Sequence, residues 1–318
     1  MEQVRIVEVG TIMKINELFG TKYPIIQGGM ANIATGEFAA AVSNAGGLGL
    51  IGAGGMNAEM LRENIRKCKS LTDKVFGVNL MLMNPEVDKM AEVVVEEGVK
   101  VVTTGAGNPG KYIKTWKEHD MIIIPVVASV ALARKMESSG VDAVIAEGTE
   151  SGGHVGEMTT MTLVPQVVDA VNIPVIAAGG IADGRQLAAA FALGASGVQV
   201  GTCLLVSEEC PIHTAYKEAV IKAKDNGTIV TGRITGAPVR CIKNQMTREY
   251  VKKEKEGAEL MELEKFTLGS LRRAVFDGDT TTGSLMAGQV SGQLKEIKPI
   301  ARIFEEMFAQ YEEVVKAL

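Results

Sequence analysis

Short apolar runs alternate with stretches of helical period along most of the chain. The runs are Ile25–Gln27, Leu48–Ile51, Phe76–Met81, Val99–Thr103, Met121–Val127, Ala143–Ala146, Val175–Ala178 and Gly197–Val200. They recur roughly every 25 residues, a spacing that fits strands separated by helices. Segments 37–45, 57–70, 85–97, 109–119, 129–139, 161–171 and 183–193 between them read as helices. Runs apolar on both faces belong to parallel strands covered by helices. Eight such units predict an α/β fold, a closed (β/α)8 TIM barrel; an open doubly wound sheet is the competing architecture. Pro24 and Pro174 stand where a strand begins and a missing N–H is tolerated. Pro125 falls inside its run, which predicts a bend or an early end there.

The pattern changes after about residue 205. Residues 213–224 look helical, 226–240 are rich in Gly and Thr with short β-like pieces, and 240–275 are charged and helical in period. A last amphipathic helix covers about 297–317. The organisation predicted is a barrel of residues 1–204 plus 277–318, interrupted near the C-terminus by a small, mainly helical domain of residues 205–276.

Charge and composition remove several classes of function. A net charge of −5 argues against general nucleic-acid binding, which needs a dominant positive surface. No run of about 18 apolar residues exists, so no membrane span is expected. The first dozen residues mix acids with apolar residues and lack a small-residue cleavage site, unlike a signal peptide. Cys68, Cys203, Cys210 and Cys241 show neither C-x-x-C nor metal spacing, which reads as a reduced, cytoplasmic chain.

In a barrel of this kind, sites are built at the C-terminal ends of the strands. Glycine clusters there: Gly28-Gly29, Gly105 and Gly107, Gly152-Gly153, Gly179-Gly180 and Gly201. Each alone reads as a tight turn; together on one face they predict close approach to a flat ligand. Gly179-Gly180 and Gly201-Thr202 each open toward a helix, the arrangement in which backbone N–H groups bind phosphate. Asp183 reads instead as a helix cap. Gln27, Asn79, Thr104 and Gln199 offer neutral hydrogen-bonding groups suited to the edge of a heteroaromatic ring. No lysine ends a strand, the carboxylates there are sparse, and no metal site is expected. A bound cofactor would therefore have to supply the chemistry. His154, in a Gly-rich loop, is the candidate acid–base group, whereas His119 and His213 end and open helices.

The stretches Gln27–Met30, Val101–Pro109, Glu147–Gly156, Ile173–Gly180 and Val198–Thr202 resemble the nitronate monooxygenase / enoyl-acyl-carrier-protein reductase II superfamily of FMN-dependent TIM barrels. Ile145–Gly148, Val239–Arg248 and Gly283–Gln289 point to its reductase branch. The resemblance implies FMN, with phosphate at Gly179, Gly180, Gly201 and Thr202 and the ring against Gly28, Gly29, Met30, Asn79 and Glu147. It brings Met286, Gly288 and Gln289 over the site, and Thr104, Gly153 and Gln199 complete the expected cofactor set. It further implies reduction of a trans-2-enoyl thioester on acyl carrier protein by NADH or NADPH, in type II fatty-acid synthesis, with His154 as the catalytic group and a homodimer as the assembly. The alternative is oxidation of alkyl nitronates with O2; a non-catalytic flavin binder is a third reading. A basic stretch, Arg240, Lys243, Arg248, Lys252, Lys253 and Lys255, would suit an acidic carrier protein and equally suits a solvated helix face. Met30, Met81, Met83 and Met286 are candidates for an acyl pocket or for core.

Overall fold

Each predicted run is a parallel strand in the computed structural model, which describes residues 15–317. The leader reading of the first dozen residues lies outside that range. In chain order the strands are β1 (Ile25–Gln27), β2 (Gly49–Gly52), β3 (Phe76–Met81), β4 (Val101–Gly105), β5 (Ile122–Val127), β6 (Val144–Glu147), β7 (Gly153–His154), β8 (Val175–Ala178) and β9 (Gly197–Val200). All but β7 form one sheet, ordered β1-β9-β8-β6-β5-β4-β3-β2. The Gln27 N–H donates to the Leu48 carbonyl at 2.9 Å, and the Leu48 N–H to Ile25 at 2.8 Å. These bonds join β1 to the start of β2 and close the ring, so the sheet is a (β/α)8 barrel and not an open one.

The runs are apolar on both faces because each face meets a different core. Ile26, Leu50, Val101, Ile124, Ile145 and Ile176 fill the barrel, floored by Ile15 and Phe19 of the helix Ile15–Phe19. The opposite faces pack under the helices in a larger core containing Val78, Val102, Ile123, Val144 and Val198. Pro125 does not shorten β5. It pairs with Thr104 of β4, and Val126 and Val127 then pair with β6.

After β9 the chain forms a short helix, Thr202–Leu205, then the helix Thr214–Lys222 and a hairpin, β10 (Thr228–Thr231) with β11 (Val239–Ile242). β11 also pairs antiparallel with β7. The helices Gln245–Lys255 and Leu260–Thr267 follow around a small core of Met246, Tyr250 and Leu263. Tyr216, Val220, Val275 and Leu285 belong to the main core instead. The last helix, Ile300–Ala317, packs on the helix Gly184–Ala192. No helix among the described residues is long and apolar enough to cross a membrane.

Candidate active site

The rim of the barrel holds polar atoms that the protein itself leaves unused. Gln27 is fully buried; its Oε1 accepts the Leu50 N–H at 3.1 Å, while Nε2 has no partner among the described residues. Thr104 Oγ1, at the end of β4, and Ser151 Oγ, after β6, are likewise buried without hydrogen bonds. Leaving such groups unsatisfied costs about 1–3 kcal/mol each. Their gathering at one barrel mouth is the signature of a polar ligand site. Asn79 on β3 is fixed by the Thr103 hydroxyl, which donates to its Oδ1 at 2.8 Å. A Cβ on Gly29 would lie 2.3 Å from the Asn79 side chain, so only glycine permits this approach. Gly28 donates to the Val200 carbonyl at 2.8 Å, and Met30 Sδ would lie 3.5 Å from a Cβ on Gly201. The sequence-predicted Gly28–Met30, Asn79 and Gly201 are thus neighbours. Gln199 sits between Ile26 of β1 and Ala178 of β8.

β8 ends in Gly179 and Gly180, with φ of 94° and 74°. A Cβ on Gly179 would stand 2.7 Å from the Gly148 carbonyl oxygen. The N–H groups of Gly180 and Ile181 donate to nothing among the described residues. Glu150 secures this corner from below. Its carboxylate accepts the Thr160 N–H at 3.0 Å, at the N-terminus of the helix Thr160–Val168, where negative charge is favoured. The Thr160 hydroxyl reaches Glu150, Ala178 and Gly179 oxygens. Asp183 caps its own helix, accepting from Arg185 and Gln186 backbone N–H groups.

The third part is the loop carrying His154 and the strap above it. His154 lies in β7, paired with Val239 of β11. Its side chain is exposed, and no group among the described residues bonds its ring. The strap returns along β11: the Ile242 N–H donates to Leu285 at 2.8 Å, and Tyr216 Oη to the Met286 carbonyl at 2.8 Å. Gly288 donates to Thr202 Oγ1 and Gln289 to the Glu150 carbonyl, both at 2.9 Å. Met286 Sδ lies 3.6 Å from where a Cβ of Gly153 would be. Met286, Gly288 and Gln289 are therefore brought onto Gly153, Thr202 and the β6 loop. Met83 is 74% exposed and is not core, Met30 packs against the main core, and Met81 and Met286 are half-buried.

Glu147 ends β6 at the mouth. It keeps some accessible surface, but protein surrounds it so deeply that burial pushes its carboxyl up to about 7. The Ser151 hydroxyl alongside opposes this weakly and lacks hydrogen-bond geometry. His119 and His213 are structural: the first closes its helix with Nδ1 on the Thr115 carbonyl, and the second caps its helix with Nδ1 accepting from Ala215. Sequence reading missed the parts played by Glu150, Ser151, Thr160, Tyr216 and Arg240. Only Glu150, a carboxylate just past a strand, carried a local signal.

Free N–H groups at a Gly-Gly turn and unsatisfied neutral donors and acceptors at the mouth fit a phosphate-bearing heteroaromatic such as FMN. Such a mouth defines a (β/α)8 barrel of the enzyme class, with its polar site at the C-terminal ends of the strands. The chain belongs to the nitronate monooxygenase family, whose model matches residues 13–310, and it is an oxidoreductase. The structure of FabK from Thermotoga maritima is similar, with TM-score 0.93 and 50% identity over 96% of this chain and 98% of that one. A probable nitronate monooxygenase of Staphylococcus saprophyticus is 36% identical, covering 95% of this chain and 98% of its own. A Mycobacterium tuberculosis protein named as a dehydrogenase of an indene-carboxyl-CoA is 32% identical over 92% of this chain and 94% of its own.

Proposed function

We propose that this chain reduces trans-2-enoyl thioesters of acyl carrier protein with NADH or NADPH, through FMN, in type II fatty-acid synthesis. The observation that carries the reading is the 50% identity to FabK, an enoyl-acyl-carrier-protein reductase II, across nearly the whole chain. Bound FMN would supply hydride transfer, from the nicotinamide in one half-reaction and to the enoyl β-carbon in the other. The chain's residues do the rest. Gly179–Ile181 and Gly201-Thr202 hold the phosphate, and Gly28–Met30, Asn79, Thr104, Glu147 and Gln199 frame the ring. The Met286–Gln289 strap covers the mouth against water, with Met30 and Met286 able to adapt to an acyl chain. The His154 imidazole donates a hydrogen bond or proton where charge develops on the thioester oxygen and α-carbon.

Anaerobic NADH or NADPH should bleach the flavin of the purified protein, and crotonyl thioester should restore the colour. Failure of the thioester to reoxidise it, with rapid oxygen uptake on nitroalkane, would move the chain to the second reading. That reading, nitronate oxidation, is favoured by the names of several curated relatives; there His154 takes the proton α to the nitro group.

The carrier protein would dock beside the insert. Arg248, Lys252 and Lys255 line a shallow groove of about 370 Å³ at the helix Gln245–Lys255, together with Val251 and with Glu256, which stands 3.8 Å from Lys252. Arg240 is not part of this face, being buried, and Lys253 is engaged with Glu262 at 3.5 Å. Charge reversal of Arg248 together with Lys252 should raise KM for the carrier-bound substrate about tenfold, as loss of rim charges slows encounter. The CoA thioester should respond less than about twofold. Equal effects on the two substrates would remove the docking face.

A further inference from the structure

Arg240 is a buried cation, 6% exposed, with no direct ion pair among the described residues. Its Nε and Nη2 both donate to the Thr149 carbonyl, at 3.1 and 2.9 Å, and Nη1 donates to the Thr228 hydroxyl at 3.1 Å. Burial holds the guanidinium below its ordinary pKa and nearby Arg233 adds repulsion, which the Glu150 carboxylate opposes. Burying a charge costs desolvation, so this guanidinium is a weak argument for stability in itself. What the fork provides is geometry, two donors fixed in one plane on a single acceptor.

That acceptor belongs to the loop between Glu147 and Gly156. Arg240 holds this loop twice, with its side chain at Thr149 and with its backbone at Gly153, its partner in the β7–β11 ladder. Between these points Glu150 ties the loop to the helix Thr160–Val168 and to the strap. The arch from Thr149 to His154 is thus spanned at both feet by one residue of another strand. We propose that Arg240 is a positioning residue: it fixes this arch and so the backbone position from which the His154 imidazole projects. The clamp stands on the contacts alone; its consequence for enoyl reduction rests on the proposed function.

The test uses holoprotein carrying Arg240→Met, which keeps length without charge or donors, and Arg240→Lys, which keeps charge without the fork. Hydrogen exchange is read at the amides of Ser151 and Val155, which bond Gly148 and Pro238 carbonyls. Exchange there should rise about tenfold or more in Arg240→Met, which leaves the Thr149 carbonyl without its donors and should lower the melting temperature by a few degrees. Flavin content and reduction by nicotinamide should stay within about twofold, and reoxidation by crotonyl thioester should slow about tenfold to a hundredfold, as small misplacements do. Arg240→Lys should fall between. Unchanged exchange in Arg240→Met, or both half-reactions falling together, would overturn the proposal. If the parent protein does not reduce the thioester, the functional reading fails while the exchange result still decides the clamp.

Discussion

Replacing His154 by alanine should abolish most enoyl-dependent turnover, by about 10²- to 10⁴-fold, and leave the flavin bound and reducible. The two outcomes separate because the imidazole is not part of the protein's own framework. Its side chain is exposed and its ring bonds nothing among the described residues. Its backbone keeps the ladder to Val239 in any substitution. Folding stability should therefore change by no more than about 0.5 kcal/mol, the usual range for a surface site. The loss falls on the step in which negative charge reaches the thioester. Anaerobic stopped-flow of the two half-reactions gives the answer: nicotinamide bleaching at the parent rate and thioester reoxidation nearly absent. Parent-like reoxidation would take His154 out of the reaction. A free ring also means that no protein group sets its tautomer, so substrate binding must orient it, and KM should respond as well as kcat.

Much of the fold was legible because each barrel strand is buried on both faces and so stands out as an unbroken apolar run. Ile25–Gln27, Phe76–Met81, Val175–Ala178 and Gly197–Val200 agree with the observed strands to the residue. β7 was not legible. Two residues, Gly153 and His154, carry no periodicity, and their partner strand lies far along the chain. The same distance hid Arg240. Basic density between 240 and 255 describes composition, whereas the direction of each side chain follows from pairing and helix phase. Arg240 turns inward from β11 and Lys252 outward from its helix. The glycines at the mouth were visible as a set, but their reasons differ. Gly29 makes room for Asn79, while Gly179 needs both its positive φ and the space beside the Gly148 carbonyl. Sequence shows that glycine is there; only the packed barrel shows which neighbour demands it.

Glu147→Gln should stabilise the protein above neutral pH and flatten its pH dependence. Burial raises the Glu147 carboxyl from its ordinary 4.5 to about 7, so between those values the folded protein holds a proton that the unfolded chain releases. Stability linked to this group is therefore fully present below about 4.5, falls as pH rises through the window, and is constant again above about 7. At about 1.4 kcal/mol per pH unit the whole window amounts to at most about 3–4 kcal/mol, and water reaching the open mouth reduces it to about 1–2 kcal/mol. The glutamine cannot ionise, so thermal melts of the two proteins should coincide near pH 5 and separate by a few degrees near pH 8. FMN affinity should report the same proton. A ring seated on Glu147 displaces that water, which disfavours the ionised form further. Binding by the parent should weaken several-fold from pH 6 to pH 8, while Glu147→Gln stays level. Parallel pH profiles for the two proteins, in melting and in FMN binding, would show that the carboxyl is already ionised and well hydrated at the barrel mouth.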